Sequence, residues 1–254
     1  MTTDNTGPAR ELEPDGGWRQ HMHFDVQSRR NKARKIITLI DGERPLAGST
    51  ILEIGTGTGV ISAELARAAG SAGTTVSIDT MDTRIDKQGY EFTLTSGVTL
   101  PFDDASFDVV VSNHVVEHVG DRAAQQVHLD EIHRILRPGG IGYLATPTRW
   151  ALIEPHFKVP MLSWPPRTMR DRYVRLTGKG KVYNVDPFGP REIRAALDRA
   201  GLRWEDKTLD ALDELVRVEN PTRAAKVLAA SPEWVRRAAR PAMPTMIYVV
   251  RRKG

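Results

Sequence analysis

Three groups of residues have types and spacing suited to chemistry. The first is Glu53-Ile-Gly55-Thr56-Gly57-Thr-Gly59, a carboxylate followed by alternating glycines. Glycines let a ligand approach the backbone closely, and where a strand runs into a helix the first helical N–H groups face that ligand. The second is Asn113-His114-Val-Val-Glu117-His118, two imidazoles and a carboxylate in a short span. Imidazole titrates near neutrality, so His114 is the leading candidate for a general base; lining the ligand pocket is its alternative role. Glu117 and His118 lie three and four residues further on, the spacing of one helical face, where they either brace a helix or touch a substrate. The third is Glu154-Pro-His156, flanked by Trp150 and Trp164. A carboxylate and an imidazole can bond hydroxyls, and indoles can stack on sugar faces; a packing loop stiffened by proline is the alternative. His21 and His23, on either side of Met22, can fold over a ligand or sit on the surface. Asp103-Asp104 falls in a loop of polar residues, and no metal is assigned to it or to any other residues.

The glycine spacing discriminates among ligands. A dinucleotide fingerprint begun at Gly55 needs Gly or Ala at position 60, which is Val60; begun at Gly57 it needs one at position 62, which is Ser62. A phosphate-binding loop needs Gly-Lys-Ser/Thr, which does not follow. The absence of cysteine removes disulfides, cysteine-bound zinc, iron–sulfur clusters and thiol nucleophiles.

These groups must be positioned by regular elements. A helical pattern runs from Trp18 to about Ile40, with an apolar stripe through Ile36, Ile37, Leu39 and Ile40. Strands are predicted at 49–54, 74–79, 107–112, 141–146, 202–208 and 245–251. Helices are predicted at 60–69, 122–136, 190–200 and across the basic segment 209–240. Residues 1–17 have no apolar period and read as a tail. Alternation of this kind predicts a doubly wound α/β sheet. Residues 147–188 interrupt it with recurrent proline and scattered aromatics.

With those elements in place, the sequence resembles the class I S-adenosylmethionine-dependent methyltransferases, in a type 11-like subgroup. The resemblance rests on the glycine loop, on Leu100-Pro-Phe102, on Ser106-Phe-Asp through Glu117-His118, and on Leu136-Arg-Pro-Gly-Gly140. It covers about residues 48–147 and continues more loosely beyond. It implies a Rossmann-like seven-stranded sheet with an antiparallel C-terminal strand, in a single domain over 18–254 whose segments 147–188 and 209–240 are acceptor-side insertions. S-adenosylmethionine is the implied cofactor. Glu53, Gly55, Thr56, Gly57 and Gly59 would wrap its methionine part, Asp79 would bond its ribose hydroxyls, and Met81 would pack on its adenine. Ser96 stands where the family usually has an adenine-binding aspartate, and with Gly97 and Asn113 it completes the implied cofactor set. His114 would be catalytic. His23, Glu117, His118, Glu154, His156 and Tyr183 would meet the acceptor.

The 254 residues are 40% apolar and 27% charged, and 36 basic against 32 acidic side chains leave a net charge of +4. That is an ordinary composition with no strong global field, and Asn113 is not followed by the Pro-Pro-aromatic sequence associated with base methylation, so no nucleic-acid partner is expected. The start of the chain lacks the pattern of a signal peptide, and a cytoplasmic protein is the default expectation. The charge of interest is local: Arg167, Arg170, Arg172, Arg175, Lys179 and Lys181 suit a phosphate or an anionic lipid headgroup, which allows peripheral membrane contact, or form a solvated face. The first expectation is O-methylation of a saccharide or glycolipid-like small molecule. Methylation of a quinone, lipid or polyketide, and a non-catalytic cofactor-binding module, are the alternatives.

Overall fold

The structure is a computed structural model that describes residues 25–219 and 221–253. His21, His23 and the 1–17 tail lie outside those residues. The elements run α1 (Val26–Asp41), β1 (Thr50–Ile54), α2 (Val60–Ala69), β2 (Thr74–Asp79), β3 (Glu91–Leu94), β4 (Phe107–Asn113), α3 (Arg122–Ile135), β5 (Leu136–Pro147), α4 (Arg167–Leu176), α5 (Pro190–Arg199), β6 (Leu202–Asp206), α6 (Thr208–Val218), α7 (Arg223–Ala229), α8 (Glu233–Ala239) and β7 (Thr245–Arg252).

The described residues form one seven-stranded sheet in the order β3-β2-β1-β4-β5-β7-β6. Pairings from β3 through β5 are parallel, whereas β7 runs antiparallel to both β5 and β6. Strand side chains alternate between two packed faces. Ile51, Val109, Val111 and Tyr143 face Ile36, Ile40 and Leu65 of α1 and α2. Leu52, Val110 and Leu144 face Leu129, Ile132, Ile193 and Leu197 of α3 and α5. A strand covered on both faces reads as a continuous apolar run, which is why Phe107–Ser112 announces itself in the sequence. The order reverses between β1 and β4, and in open α/β sheets ligands bind beyond the carboxyl ends of the strands at that reversal.

Three local features differ from the sequence pattern. β3 was not among the strands predicted from periodicity; only Phe92 of its four residues is even half-buried, so this edge strand has no apolar signature. Arg137-Pro-Gly-Gly140 lies inside β5, not before it: the register jumps from Phe107 opposite Leu136 to Val109 opposite Ile141, and the intervening residues bulge out. The 209–240 segment is three helices, broken near Pro221 and again at Pro232, because proline cannot supply the N–H an interior turn requires. Segment 147–188 contains α4 and a small core of its own, formed by Phe157, Val159, Leu162, Val174, Tyr183 and Val185.

Candidate functional site

The glycine loop leaves β1 beside the carboxyl end of β2. Asp79 closes that end: its Oδ2 accepts the Gly57 N–H at 2.8 Å and its Oδ1 accepts the Thr80 N–H at 2.7 Å. Gly57 and Gly59 both adopt left-handed φ, +52° and +77°, yet they serve different ends. A Cβ on Gly59 would collide with the Asp86 carbonyl and the Tyr90 hydroxyl, so this glycine permits packing against the 82–90 loop. A Cβ on Gly57 would meet nothing within 4 Å, so the loop presents bare backbone there. Thr56, which is buried, has a hydroxyl with no hydrogen-bond partner among the described residues. Met81 is half-buried just past Asp79. Ser96 and Gly97 lie just past β3, where the Thr95 N–H bonds the Asp79 carbonyl at 2.9 Å.

Glu53 sits beneath this loop, 1% exposed, and accepts a hydrogen bond from the Ser62 hydroxyl. Burial pushes its carboxyl up to about 8, although the Ser62 bond and the Arg29 charge oppose that rise. An open glycine face, a carboxylate at the end of β2 and an orphaned Thr56 hydroxyl fit a ligand with a ribose diol and an amino-acid head. S-adenosylmethionine carries both.

β4 neighbours β1, with Ile54 opposite Ser112, so Gly55 and Asn113 leave the sheet side by side. His114 follows with a left-handed φ of +59°, uncommon for a residue other than glycine, and its N–H bonds the Ala145 carbonyl of β5 at 2.8 Å. The short 3₁₀ turn Val116–His118 then brings Glu117 back, so that its Oε1 lies 3.2 Å from His114 Nδ1. The other oxygen, Oε2, accepts the Thr146 hydroxyl at 3.2 Å. Burial alone would raise the Glu117 carboxyl, but the bond from His114 and the nearby imidazoles outweigh it and hold it at about 2. Burial lowers the His114 pKa below its ordinary value, against the pull of Glu117. The pair is therefore a carboxylate holding a neutral imidazole. The bond to Glu117 assigns the ring proton to Nδ1, which makes Nε2 the proton acceptor.

His118 packs edge to face on His156, ring centroids 4.9 Å apart. His156 Nδ1 is 2.7 Å from Glu154 Oε1, and Glu154 Oε2 accepts the Phe157 N–H at 2.6 Å. The residues expected to meet a sugar are thus engaged with one another. Trp150 and Trp164 also pack on each other, at 5.9 Å, and Trp164 Nε1 donates to the Ala151 carbonyl. Tyr183, expected at the acceptor, is 5% exposed and packs on Phe157 within the core of the 147–188 segment. In the basic run, Arg170 is buried and bonds Asp186 at 3.1 Å, a structural role, whereas Arg172, Arg175, Lys179 and Lys181 are exposed. Asp104 pairs with Arg134 at 2.9 Å.

A cavity of about 610 Å³ opens beside Asn113 and His114. Its lining is mainly aliphatic, from Leu212 and Leu215 of α6, Ala225 and Leu228 of α7, and Met243 and Ile247 toward β7, with Tyr143 from the sheet. Lys32 and Lys35 of α1 and Glu219 add charge, and Lys35 pairs with Glu219 at 2.6 Å. Burial, together with Arg29 and Lys35, lowers the Lys32 pKa to about 8. The sequence reading placed 209–240 on the acceptor side but named none of these residues. The one signal available for Lys32 was its position on the helical face that also carries Arg29 and Ile36.

Residues 52–144 match the family model described as a methyltransferase domain, and the strand order and glycine loop around them fit the fold of class I S-adenosylmethionine-dependent methyltransferases. Among curated proteins, the ubiquinone biosynthesis O-methyltransferase of Maricaulis maris is 35% identical over 117 residues, 43% of this chain and 45% of that relative. The demethylmenaquinone methyltransferase of Chlorobaculum tepidum is 33% identical over 118 residues, 45% of this chain and 46% of that relative. The chain thus spans about half the length of these curated relatives. A solved S-adenosylmethionine-dependent methyltransferase from Methanosarcina mazei shares the fold, with a TM-score of 0.51 at 18% identity, covering 85% of this chain and 97% of its own.

Proposed function

We propose that this chain transfers the methyl group of S-adenosylmethionine to a hydroxyl of an apolar small molecule of quinol type. The observation that carries this reading is the His114 imidazole, oriented by Glu117, at the mouth of a 610 Å³ cavity with a largely aliphatic lining. Glu53, Gly55, Thr56, Gly57, Gly59, Asp79, Met81, Ser96, Gly97 and Asn113 form the cofactor side. When bound, the cofactor supplies an electrophilic methyl on a sulfonium whose departure leaves a neutral thioether. The chain supplies the rest. The glycine loop and Asp79 fix one reactant and the α6–α8 cavity the other, and such positioning is worth up to about 7–11 kcal/mol. His114 Nε2 takes the acceptor's hydroxyl proton as the oxygen's lone pair forms the new bond. Glu117 holds the imidazole and stabilises the imidazolium that results.

The names of the two curated relatives support a quinone-type acceptor over a saccharide, and so do the mutual contacts of Glu154 with His156 and of Trp150 with Trp164. No described helix is long and apolar enough to cross a membrane. The 147–188 segment nevertheless exposes Leu152, Ile153, Met161, Met169 and Leu176 among Arg172, Arg175, Lys179 and Lys181. A surface of that kind suits an anionic bilayer holding an apolar acceptor.

The test is transfer of label from methyl-labelled S-adenosylmethionine to quinols, catechols, polyketides and extracted glycolipids. Ala225→Trp fills the cavity from a helix that buries no side chain, so the fold should persist. Quinol methylation that Ala225→Trp abolishes, with cofactor affinity unchanged by calorimetry, is the expected result. Label passing only to glycolipids, indifferent to Ala225→Trp, would overturn the acceptor assignment. Tight cofactor binding with no labelled product would leave a non-catalytic module.

A further inference from the structure

The methyl-transfer reading uses His114 and Glu117 but gives no part to His118 and His156. One ligand atom from each of Glu117, His118 and His156 lies within 4.8 Å of the other two. One carboxylate oxygen and two imidazole nitrogens make up a donor set that holds divalent zinc or iron while leaving coordination positions open. Proximity alone would be thin support, since His118 and His156 also make an ordinary edge-to-face ring contact. Two further features point to a ligand.

The first stands behind His156. Glu154, itself only 1% exposed, lies 2.7 Å from His156 Nδ1 through Oε1, while its Oε2 is anchored by the Phe157 N–H. A buried carboxylate behind a histidine fixes the ring tautomer and makes the opposite nitrogen a better electron donor, as in carboxylate–histidine–zinc arrangements. With Nδ1 bonded to Glu154, Nε2 is the nitrogen that would ligate an ion. The second concerns Glu117. Its two oxygens are held separately, by His114 and by the Thr146 hydroxyl, so the carboxylate is oriented before any ion arrives. A carboxylate has lone pairs enough to keep both bonds and still bind a metal.

We propose that Glu117, His118 and His156 form a site for one divalent transition-metal ion, zinc foremost, with Glu154 as the positioning residue behind His156. The sequence reading assigned no metal: it weighed only Asp103-Asp104, and no spacing rule links His156 to a turn so far away in the chain. Ion binding stands independently of the methyl-transfer reading; the ion's role rests on it. A bound ion would make an acceptor hydroxyl on it more acidic and so assist its deprotonation beside His114.

The test uses the full chain after removal of metals with a chelator. Zn²⁺ is titrated by calorimetry and Co²⁺ by visible absorption, and cofactor affinity and thermal unfolding are measured on the same samples. The expected result is one ion per chain, with the intense cobalt bands of four- or five-coordination. His118→Ala and His156→Ala should abolish those bands, and Glu154→Gln should weaken binding about 10–100-fold. The proposal is overturned if no stoichiometric ion binds, if the cobalt spectrum is that of the aqueous ion, or if either histidine variant with parental unfolding binds as the parent does. Should one histidine variant unfold, the other and Glu154→Gln decide the matter. Metal binding without cofactor binding would sink the methyl-transfer reading alone, and cofactor binding without metal would sink the site alone.

Discussion

Glu53→Gln isolates the consequence of burying an ionisable group beneath the glycine loop. The variant keeps the shape of the side chain and a partner for the Ser62 hydroxyl but cannot ionise. In the unfolded chain a glutamate gives up its proton near 4.5, whereas in the folded protein Glu53 keeps its proton to about 8. Between those values the folded state binds one proton more than the unfolded state, so stability falls as pH rises through the window and stays lost above it. Each unit is worth about 1.4 kcal/mol, so the loss at pH 7 relative to pH 4.5 is about 3 kcal/mol. The assay is urea unfolding of both proteins at intervals from pH 5 to pH 8. The variant's stability should gain on the parent's by about 1.4 kcal/mol per unit over that range, whatever constant offset the amide introduces. A pH-independent difference would refute the reasoning, because it would mean that Glu53 is ionised in the fold throughout. The same carboxyl links stability to binding: a cationic ligand seated on the loop favours its ionised form. Calorimetry in two buffers of different ionisation enthalpy should then show proton release on cofactor binding near pH 7 in the parent and not in the variant.

Gly57 and Gly59, two of the loop's three positive-φ glycines, should separate binding from folding. Gly57→Ala should lose at least tenfold in cofactor affinity for a cost of about 1–2 kcal/mol in stability, the left-handed strain alone. Gly59→Ala should unfold at markedly lower urea, because its Cβ meets the Asp86 backbone; equal stability losses in the two would contradict the assigned roles. His114→Gln should reduce kcat by about 10²–10⁴ with cofactor affinity unchanged, and parallel losses in both would remove the base assignment. Sedimentation with vesicles of anionic lipid should capture the chain at low salt and release it at high salt. Arg172→Ala combined with Arg175→Ala should weaken capture by about 2 kcal/mol, and equal binding to neutral vesicles would count against the basic surface.

The central sheet was legible because parallel strands covered on both faces, such as Phe107–Ser112, must be apolar throughout, and because Gly70 and Gly201 close their helices. β3 was not legible, since an edge strand with one half-buried side chain carries no pattern. The sevenfold strand count came from the resemblance, not from periodicity. The glycine motif could be read, but not the division of labour within it: Gly57 and Gly59 have the same spacing and the same φ sign, and only their surroundings separate them. The cavity beside His114 was hidden for a topological reason. Antiparallel pairing of β7 with β5 sets Thr245 opposite Pro147 and so brings α6–α8 over the end of β4, an adjacency that no local pattern encodes. Tyr183 misled because its hydroxyl suggests a polar role while its ring supplies bulk to the 147–188 core.

The wall of the cavity farthest from the sheet is built differently from the rest. α7 and α8 contribute no buried side chain, and their links to the body include the Arg236–Asp213 ion pair at 2.6 Å. Elements with so little apolar anchorage belong to the low-energy end of a protein's spectrum of local openings. The cavity therefore has one side made of sheet and one side, α7 and α8, that a local opening would move first. On the proposed quinol reading, a long hydrocarbon tail would not have to be swallowed whole: the head would reach His114 while the tail left past this wall, and turnover should then depend on the head group and tolerate chain length.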